Sequence, residues 1–158
     1  MATLHREAKR HSGIVTVWVT AAVGALLLSG CATKQPSSIT FTNEGIVLQQ
    51  QGDLDGAIAK YRQALAIDPN DAQAHLALGS ALQKKKDIDG AIAEYRAALS
   101  KDPNLAGAHL GLGYCLHAKK DNAGAIRELK AYLQNPPPDE PEMKAKVEQD
   151  VQKLEAAH

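Results

Sequence analysis

The feature that most constrains this chain is a segment that recurs every 34 residues. Residues 53–70, DLDGAIAKYRQALAIDPN, and residues 87–104, DIDGAIAEYRAALSKDPN, are identical at thirteen of eighteen positions. A third and weaker copy, DNAGAIRELKAYLQNPPP, occupies residues 121–138. Self-similarity at a fixed period of this length is typical of stacked structural repeats, in which each unit packs only on its neighbours.

Each copy is predicted to form two helices joined by a short turn. The polar residues 84–87 separate the helices of the second unit, and Pro103 ends the second helix because the residue before a proline avoids helical geometry. Asn104 is then expected to be the N-cap of the next helix. Gly79 and Ala91 are small enough to let the two helices approach closely. One apolar helix face carries Ala91, Ile92, Tyr95, Ala98 and Leu99.

At these positions the chain resembles the tetratricopeptide repeat family, whose pattern combines a bulky residue, Leu-Gly, a Tyr or Leu, Ala, an aromatic residue, Ala and Pro. The second unit supplies His75, Leu78, Gly79, Leu82, Ala91, Tyr95, Ala98 and Pro103. The third supplies His109, Leu112, Gly113, Leu116, Ala125, Leu129, Tyr132 and Pro137. The first supplies Phe41, Gly45, Leu48, Ala57, Tyr61, Ala64 and Pro69. Glu44 stands where the family has Leu, which predicts either a loosely packed first helix or an N-terminal cap.

The resemblance implies an all-α fold, a right-handed α-solenoid of three helix pairs followed by a C-terminal capping helix. The array is predicted over residues 38–139, in units of about 38–71, 72–105 and 106–139. Its helices are predicted at 38–51 with 54–67, at 72–85 with 88–101, and at 106–119 with 122–134.

A last helix is predicted from Pro141 to Ala157, within the segment 140–158. Its apolar residues form a narrow stripe at helical spacing, and the remaining positions are mostly charged or amide side chains. A solenoid needs a terminal element with a polar outer face, which favours a capping role; a helix lying on a membrane surface is the alternative. The stripe consists of Met143, Val147, Val151 and Leu154.

The N-terminus has the composition of an export signal. Arg6, Lys9 and Arg10 precede an apolar run of fifteen residues, Ile14 to Leu28. A run of this length is shorter than the roughly 20 residues of a membrane span, and it suits the apolar region of a signal peptide. We therefore interpret residues 1–30 as a signal peptide; an uncleaved anchor is the alternative.

Residues 28–31, Leu-Ser-Gly-Cys, look like the lipobox of bacterial lipoproteins. That resemblance implies cleavage before Cys31, acylation of Cys31 and a short tether over residues 31–37; an ordinary signal peptide with an incidental cysteine is the alternative. Several acyl chains anchor a protein durably, because each buried methylene contributes about 0.8 kcal/mol. Ala32 after the cysteine implies export to the outer membrane. The expected location is the bacterial cell envelope, lipid-anchored and facing the periplasm.

Charge and motifs exclude several functions. Residues 31–158 carry 15 Lys and Arg against 17 Asp and Glu, and aromatic residues make up 4% of the chain. This composition argues against a nucleic-acid partner. No nucleophile elbow, phosphate-binding loop or zinc-protease helix is present in the sequence, so we predict no enzymatic activity and no cofactor. The lysines at 84–86 are predicted to form a solvated helix end that complements the helix dipole.

Histidine and cysteine side chains are the residues of this chain most suited to binding a metal ion. His75 and His109 are related by the 34-residue period, and His117 follows on the same helix as His109. No carboxylate stands beside them at ligand spacing in the sequence, so we interpret them as packing residues and predict no metal site. Cys115 is interpreted as a small buried residue; a reactive thiol or an intermolecular disulfide is the alternative.

The family resemblance implies that partners bind along the inner side of the first helix of each unit. Members that clamp a C-terminal carboxylate use Lys and Asn there, and here only Asn43 and Lys84 could contribute. We therefore favour a groove for an extended or helical peptide over a carboxylate clamp; an ordinary solvated surface is the alternative. The predicted groove residues are Thr42, Asn43, Ile46, Gln49, Gln73, Leu76, Ser80, Gln83, Lys84, Gly107, Leu110, Tyr114 and His117.

Taken together, the sequence predicts a protein-interaction scaffold of the envelope. The resemblance to repeat-containing envelope lipoproteins implies a role in the assembly of pili, secretion systems or outer-membrane proteins. Its expected partners are other envelope proteins or peptides, and the membrane through the lipid on Cys31. Two alternatives stay open: a self-associating structural lipoprotein, and a non-catalytic accessory to a cell-wall enzyme.

Overall fold

The structure, a computed structural model, describes residues 37–157, and every regular element in that range is a helix. The helix bounds differ by at most one residue from those predicted from the sequence. The helices are α1 (Ser38–Gln50), α2 (Leu54–Ile67), α3 (Ala72–Lys84), α4 (Ile88–Lys101), α5 (Ala106–Ala118), α6 (Asn122–Gln134) and α7 (Pro141–Ala156). The predicted signal peptide, Cys31 and most of the predicted tether lie outside the described residues.

The helices pack as three consecutive pairs, α1 with α2, α3 with α4 and α5 with α6. Successive pairs contact through α2 and α3 and through α4 and α5. In addition α1 contacts α3 and α3 contacts α5, whereas no such contact joins α2, α4 and α6 within the described residues. Because the first helices approach one another and the second helices do not, the array curves with α1, α3 and α5 on its concave side. The predicted all-α repeat fold is confirmed. Among residues 37–157, no helix combines the length and apolarity needed to cross a bilayer.

The turn inside each pair contains one residue with a left-handed backbone. These residues are Gly52, Lys86 and Lys120, with φ of 87°, 66° and 66°. The next N–H group in each turn donates to the carbonyl five residues upstream, at 2.9 to 3.0 Å: Asp53 to Leu48, Asp87 to Leu82 and Asp121 to Leu116. This hydrogen bond closes the helix end in the manner of a Schellman motif.

The lysines at 84–86 have three different roles, where the sequence suggested one solvated helix end. Lys84 is the last helical residue and is exposed. Lys85 caps the helix, and its Nζ contacts the carboxylate of Asp55 in the preceding unit. Lys86 takes the left-handed conformation that reverses the chain. The turn geometry, more than the helix dipole, therefore determines what these residues do.

Aspartates begin the second helix of every pair. The Oδ1 atoms of Asp53, Asp87 and Asp121 accept hydrogen bonds from the N–H groups three residues on, at 2.9 to 3.0 Å. Those donors are Gly56, Gly90 and Gly124. A Cβ atom on any of them would come within 2.8 to 2.9 Å of the capping Cγ atom. The recurring Asp-x-x-Gly pattern is therefore a capping requirement.

The predicted N-cap of α5 is wrong. Asn104 lies in the loop, where its N–H donates to Oδ1 of Asp102 at 3.0 Å. Leu105 occupies the N-cap position and makes no side-chain capping bond. In the preceding unit, Asp71 holds the equivalent position and accepts hydrogen bonds from the N–H groups of Gln73 and Ala74. The cap belongs to the position after the Asp-Pro-Asn turn, because the Asp of that turn already binds the Asn backbone.

Small residues let the paired helices touch, as predicted. Ala57, Ala91 and Ala125 are fully buried in α2, α4 and α6. A Cβ atom on Gly79 would lie 2.9 Å from the Tyr95 ring, so the aromatic ring occupies the space that a larger residue would need. Each helix pair therefore depends on a small residue on each helix and on the ring or leucine that packs against the glycine.

The last helix, α7, packs against α6. Val147, Val151 and Leu154 are buried, and Met143 is partly buried against the core. The opposite positions of α7 are charged or amide side chains and are exposed. Because the apolar stripe is covered by the array, the helix has the geometry of a cap and offers little apolar surface to a membrane.

The interpretation of His75 and His109 as simple packing residues is wrong, because a carboxylate from the paired helix contacts each ring. His75 Nδ1 lies 2.7 Å from Glu94 Oε2, and His109 Nδ1 lies 2.9 Å from Glu128 Oε2. Each Nε2 faces the carbonyl oxygen of a proline in the preceding loop, at 3.0 to 3.2 Å. A doubly protonated ring donates to both acceptors at once, whereas a neutral ring donates to one of them. The histidines therefore link helix pair and loop through polar contacts.

Candidate functional site

The inner faces of α1, α3 and α5 line a groove of about 480 Å³ that is open to solvent. Residues of all three units contribute, and two tyrosines reach the groove from the second helices. Both apolar and hydrogen-bonding side chains face it. The lining residues are Thr42, Ile46, Gln49, Tyr61, Gln73, Leu76, Ala77, Ser80, Gln83, Tyr95, Gly107, Leu110, Gly111 and Tyr114.

Most of the residues predicted for the concave face lie in this groove: Thr42, Ile46, Gln49, Gln73, Leu76, Ser80, Gln83, Gly107, Leu110 and Tyr114. Three others do not line it. Asn43 is exposed on α1, and Lys84 is exposed at the end of α3. His117 instead lines a second cavity between α5 and α7, and its Nδ1 lies 3.1 Å from Oδ1 of Asn122. The residues that could have contributed to a carboxylate clamp are thus not assembled in the groove.

Tyr61 and Tyr95 line the groove although they belong to α2 and α4. The Tyr61 hydroxyl donates to Gln49 Oε1 at 3.1 Å, and the Tyr95 hydroxyl donates to Gln83 Oε1 at 2.7 Å. Sequence reasoning placed both tyrosines only in the core. The signal was the repeated Gln and Tyr spacing, twelve residues in both units. The third unit has His117 and Leu129 at these positions, so it makes no such pair.

The two hydroxyls stay protonated and act as donors. Burial raises the pKa of Tyr61, and burial together with the nearby Cys115 raises the pKa of Tyr95 further. Because each hydroxyl donates a hydrogen bond to the carbonyl oxygen of a glutamine side chain, the amide N–H₂ group of that glutamine is left for other acceptors. Gln49 Nε2 lies at the long distance of 3.5 Å from Ser80 Oγ. Gln83 Nε2 makes no hydrogen bond to any of the described residues.

Two glycines of α5 shape the groove floor. A Cβ atom on Gly111 would lie 2.7 Å from Cε2 and Oη of Tyr95, so Gly111 is what allows that ring to reach the next unit. A Cβ atom on Gly107 would lie 3.3 Å from a methyl group of Leu76. The face of α5 therefore carries no side chain at these two positions, because the Tyr95 ring and the Leu76 methyl groups occupy the space beside it.

Tyr114 closes the groove at the C-terminal end. Its hydroxyl donates to Asp150 Oδ2 on α7 at 3.0 Å, and Lys146 Nζ lies 5.9 Å from the ring centre. Burial and this hydrogen bond to Asp150 raise the pKa of Tyr114 to about 12. Behind the ring, His117, Leu129 and residues of α7 line the second cavity, of about 240 Å³. The capping helix therefore holds the last residue of the groove in place.

The lining residues of the groove form no nucleophile, acid–base or metal-binding arrangement. No Asp, Glu, Lys, Arg or His is among its lining residues. Within residues 37–157, no group of three or more His, Cys, Asp or Glu side chains is placed to hold a metal ion. Cys115 is fully buried, and burial raises the pKa of its thiol to about 11, as expected for an inert core residue.

Comparison with known families supports the repeat assignment. A model described as TPR repeat matches residues 45–86, and a model described as Tetratricopeptide repeat matches residues 82–149. Together the two matches run from α1 into α7. A search of curated protein sequences finds no match for the chain.

Solved structures with the same fold include several repeat domains. The type III secretion translocator chaperone SycD of Yersinia enterocolitica has a TM-score of 0.71 and 21% identity, over 77% of this chain and 87% of that chain. The first TPR of Spaghetti (RPAP3), bound to the HSP90 peptide SRMEEVD, has a TM-score of 0.71 and 18% identity, over 81% and 98%. The TPR2B domain of yeast Sti1 has a TM-score of 0.69 and 23% identity, over 77% and 98%. At these identities the likeness is one of fold.

Proposed function

We propose that this chain, which belongs to the tetratricopeptide repeat family, acts as a protein-interaction scaffold. We further propose that it is a membrane-anchored periplasmic lipoprotein of the bacterial envelope. The observation that carries the binding role is the groove itself. Leu76 and Leu110, from successive units, are both partly exposed within it, and neutral hydrogen-bonding groups flank them. An extended or helical segment of a partner protein is the kind of ligand that such a groove accommodates.

The anchoring proposal rests on the sequence before the repeats. A basic leader, an apolar run and a cysteine follow one another in the order that a lipoprotein signal requires, ending at Cys31. The outer membrane is the proposed destination because Ala32 follows the cysteine. The tether of residues 31–37 is short, so we propose that the array acts close to the membrane surface.

Metabolic labelling with a tagged fatty acid tests the anchor. We expect label on the wild-type protein and none on Cys31→Ser, which also keeps its signal peptide. Cys115→Ser is the matched control, because it removes the other cysteine and should retain the label. Equal labelling of Cys31→Ser and wild type would rule out acylation at Cys31.

Photo-crosslinking in intact cells tests the groove. A photoreactive amino acid at Leu76 or Leu110 is expected to capture a partner protein, whereas the same residue at Arg96, exposed on α4, should not. Purified partner is then titrated calorimetrically with Leu110→Arg, using circular dichroism to confirm that the helices persist. Capture at position 96 with none at 76 or 110 would move the binding surface to the convex side.

The pathway remains part of the proposal. SycD is a secretion chaperone that has been solved with a peptide of the translocator YopD, and the Spaghetti domain was solved with an HSP90 peptide. Both support the idea that this fold holds short segments of partner proteins. We propose the assembly of pili, secretion systems or outer-membrane proteins as the setting, and the identity of the crosslinked partner decides among them.

Self-association is a second candidate, favoured by the open end of the array. Val47 on α1 is 50% exposed, whereas Ala81 and Cys115, at the same position of the next two units, are fully buried by the preceding pair. Ile39 on the same helix is 66% exposed. If copies associate through α1, sedimentation velocity of the wild type should depend on concentration and that of Val47→Glu should not. A monomer at all concentrations removes this candidate.

A further inference from the structure

The groove carries no ionisable side chain other than its tyrosines, and those hydroxyls are donors to neighbouring groups. Its polar members are amides and hydroxyls, and its remaining members are aliphatic residues or glycines. A charged ligand group docked in this open groove would lose part of its hydration and would meet no opposite charge among the lining residues, which is unfavourable. The lining therefore selects against charge of either sign.

We infer that the groove recognises a segment of a partner protein that has no charged side chains, with aliphatic side chains and an unmodified backbone as the recognised groups. The inference rests on the proposed binding function and specifies its ligand. It excludes an acidic C-terminal peptide such as SRMEEVD, the peptide held by the similar Spaghetti domain. Asn43 and Lys84, the residues that might have served such a peptide in this sequence, do not line the groove.

The hydrogen-bonding groups match a peptide backbone. The Tyr95 hydroxyl occupies the carbonyl of Gln83, which leaves the Gln83 amide N–H₂ group as a donor that no described residue uses. Gln49 is held in the same way by Tyr61. Both glutamines line the groove, and an amide N–H₂ group has two N–H donors, so Gln49 keeps one N–H besides its 3.5 Å contact with Ser80 Oγ. Backbone carbonyl oxygens are the acceptors that an uncharged segment offers.

The apolar groups provide a place for aliphatic side chains. Leu76, Leu110 and the Tyr114 ring are partly buried, and each lies against the hydrophobic core. Gly107 and Gly111 of α5 also line the groove, and the Leu76 methyl groups and the Tyr95 ring pack against them, so these two side chains supply the apolar surface at that point. Apolar burial at this strip supplies the affinity, and the glutamine donors fix the orientation of the segment.

Phage display tests the inference. Peptides that bind are selected from a random-peptide phage library on the protein purified from membranes in detergent. Peptides that bind the wild type are re-tested on two groove variants, Leu110→Arg and Ser80→Arg, with melting curves as the folding control. We expect binding to be lost on both variants, a shared core without Asp, Glu, Lys or Arg, and a Kd that does not change with salt. SRMEEVD is expected not to bind.

Other results would distinguish an error about the chemistry of the ligand from an error about binding in the groove itself. Groove-dependent peptides that carry acidic residues or need a free C-terminal carboxylate would overturn the inference and leave the binding function standing. Selection that yields no peptide, or only peptides whose binding both groove variants retain, would overturn the proposed binding function as well.

The donor role of Gln83 has its own matched test. Gln83→Ala is expected to weaken a selected peptide about two- to tenfold, the value of one neutral hydrogen bond. Gln63→Ala, an exposed glutamine on α2, should leave the Kd unchanged. An unchanged Kd for Gln83→Ala would show that the Gln83 side-chain amide does not donate a hydrogen bond to the peptide.

Discussion

Gly111 of the third unit lies so close to the ring of Tyr95 in the second that a Cβ atom there would come within 2.7 Å of the ring and its hydroxyl. The same ring packs against Gly79 of its own unit, and its hydroxyl donates a hydrogen bond to Oε1 of Gln83. Tyr95 thus joins two units and also positions a groove residue. Packing between repeats and the geometry of the groove depend on one side chain.

Gly111→Ala is therefore expected to destabilise the array. The buried Tyr95 ring cannot move aside freely, so the added methyl group should cost about 1–3 kcal/mol, reduced by the roughly 1 kcal/mol by which Ala favours a helix over Gly. Urea denaturation followed by circular dichroism measures the change. Gly107→Ala is the control on the same helix, because its Cβ meets only a Leu76 methyl group, and it should be neutral or slightly stabilising. Equal effects of the two changes would contradict the close packing of Tyr95.

The left-handed lysines give a prediction of opposite sign. Lys86 and Lys120 occupy the position that Gly52 fills in the first unit, and a side chain at positive φ is unfavourable. Lys120→Gly should raise the free energy of unfolding by about 1 kcal/mol. Gly52→Lys should lower it by a similar amount. Arg96→Gly, at an exposed position inside α4, is the control for glycine itself and should be destabilising. A loss of stability in Lys120→Gly would show that the turn is not left-handed.

The thiol of Cys115 should be inert in the folded protein. Its pKa rises from 9.0 to about 11 through burial, so very little thiolate forms at neutral pH. In a Cys31→Ser background, iodoacetamide should modify Cys115 slowly in buffer and rapidly in denaturant, as followed by mass spectrometry. The raised pKa also means that this group supports the fold fully below pH 9 and loses its contribution as the pH rises through 11. That added loss should be absent from Cys115→Ala, and rapid labelling without denaturant would contradict the burial.

The histidine and glutamate pairs should contribute measurable coupling. We expect about 0.5–1.5 kcal/mol between His109 and Glu128 in a double-mutant cycle that uses His109→Phe, Glu128→Gln and the combination, because both side chains are partly buried. The exposed Lys119 and Asp89 pair is the comparison, with an expected coupling below about 0.5 kcal/mol. A coupling no larger for the histidine pair than for the exposed pair would show that the contact is incidental.

The sequence predicts the helix bounds closely because residues that end one helix and cap the next recur in the turns at a fixed period. The Asp-Pro-Asn turns and the Asp-x-x-Gly caps recur at intervals of 34 residues, so one unit informs the next. The groove positions could be predicted for the same reason, since residues 34 apart, such as Leu76 and Leu110, fall on the same side of successive first helices.

Contacts between helices were harder to predict, because they depend on side-chain conformations across the pair. Glu94 is nineteen residues from His75 in sequence, and only the packing of α4 on α3 brings them together. The hydroxyl of Tyr95 could not be assigned to the groove for a similar reason. Periodicity correctly places the Tyr95 ring in the core, but it does not show that the hydroxyl at the end of the ring lies on the concave side. The left-handed turns at Lys86 and Lys120 could not be predicted either, because neither position has the glycine that indicates such a turn at Gly52.

The uncovered face of α1 has a consequence for how the array opens. Among residues 37–157, the second pair contacts a pair on either side, whereas the pair of α1 and α2 contacts another pair on one side alone. In a one-dimensional stack of coupled units, local unfolding starts where a neighbour is missing, so the amide hydrogens of α1 should exchange with solvent sooner than those of α3 or α5. Thr42, Ile46 and Gln49, one end of the groove, belong to that helix. A ligand that spans the whole groove would therefore slow amide exchange most at α1, the N-terminal end of the array.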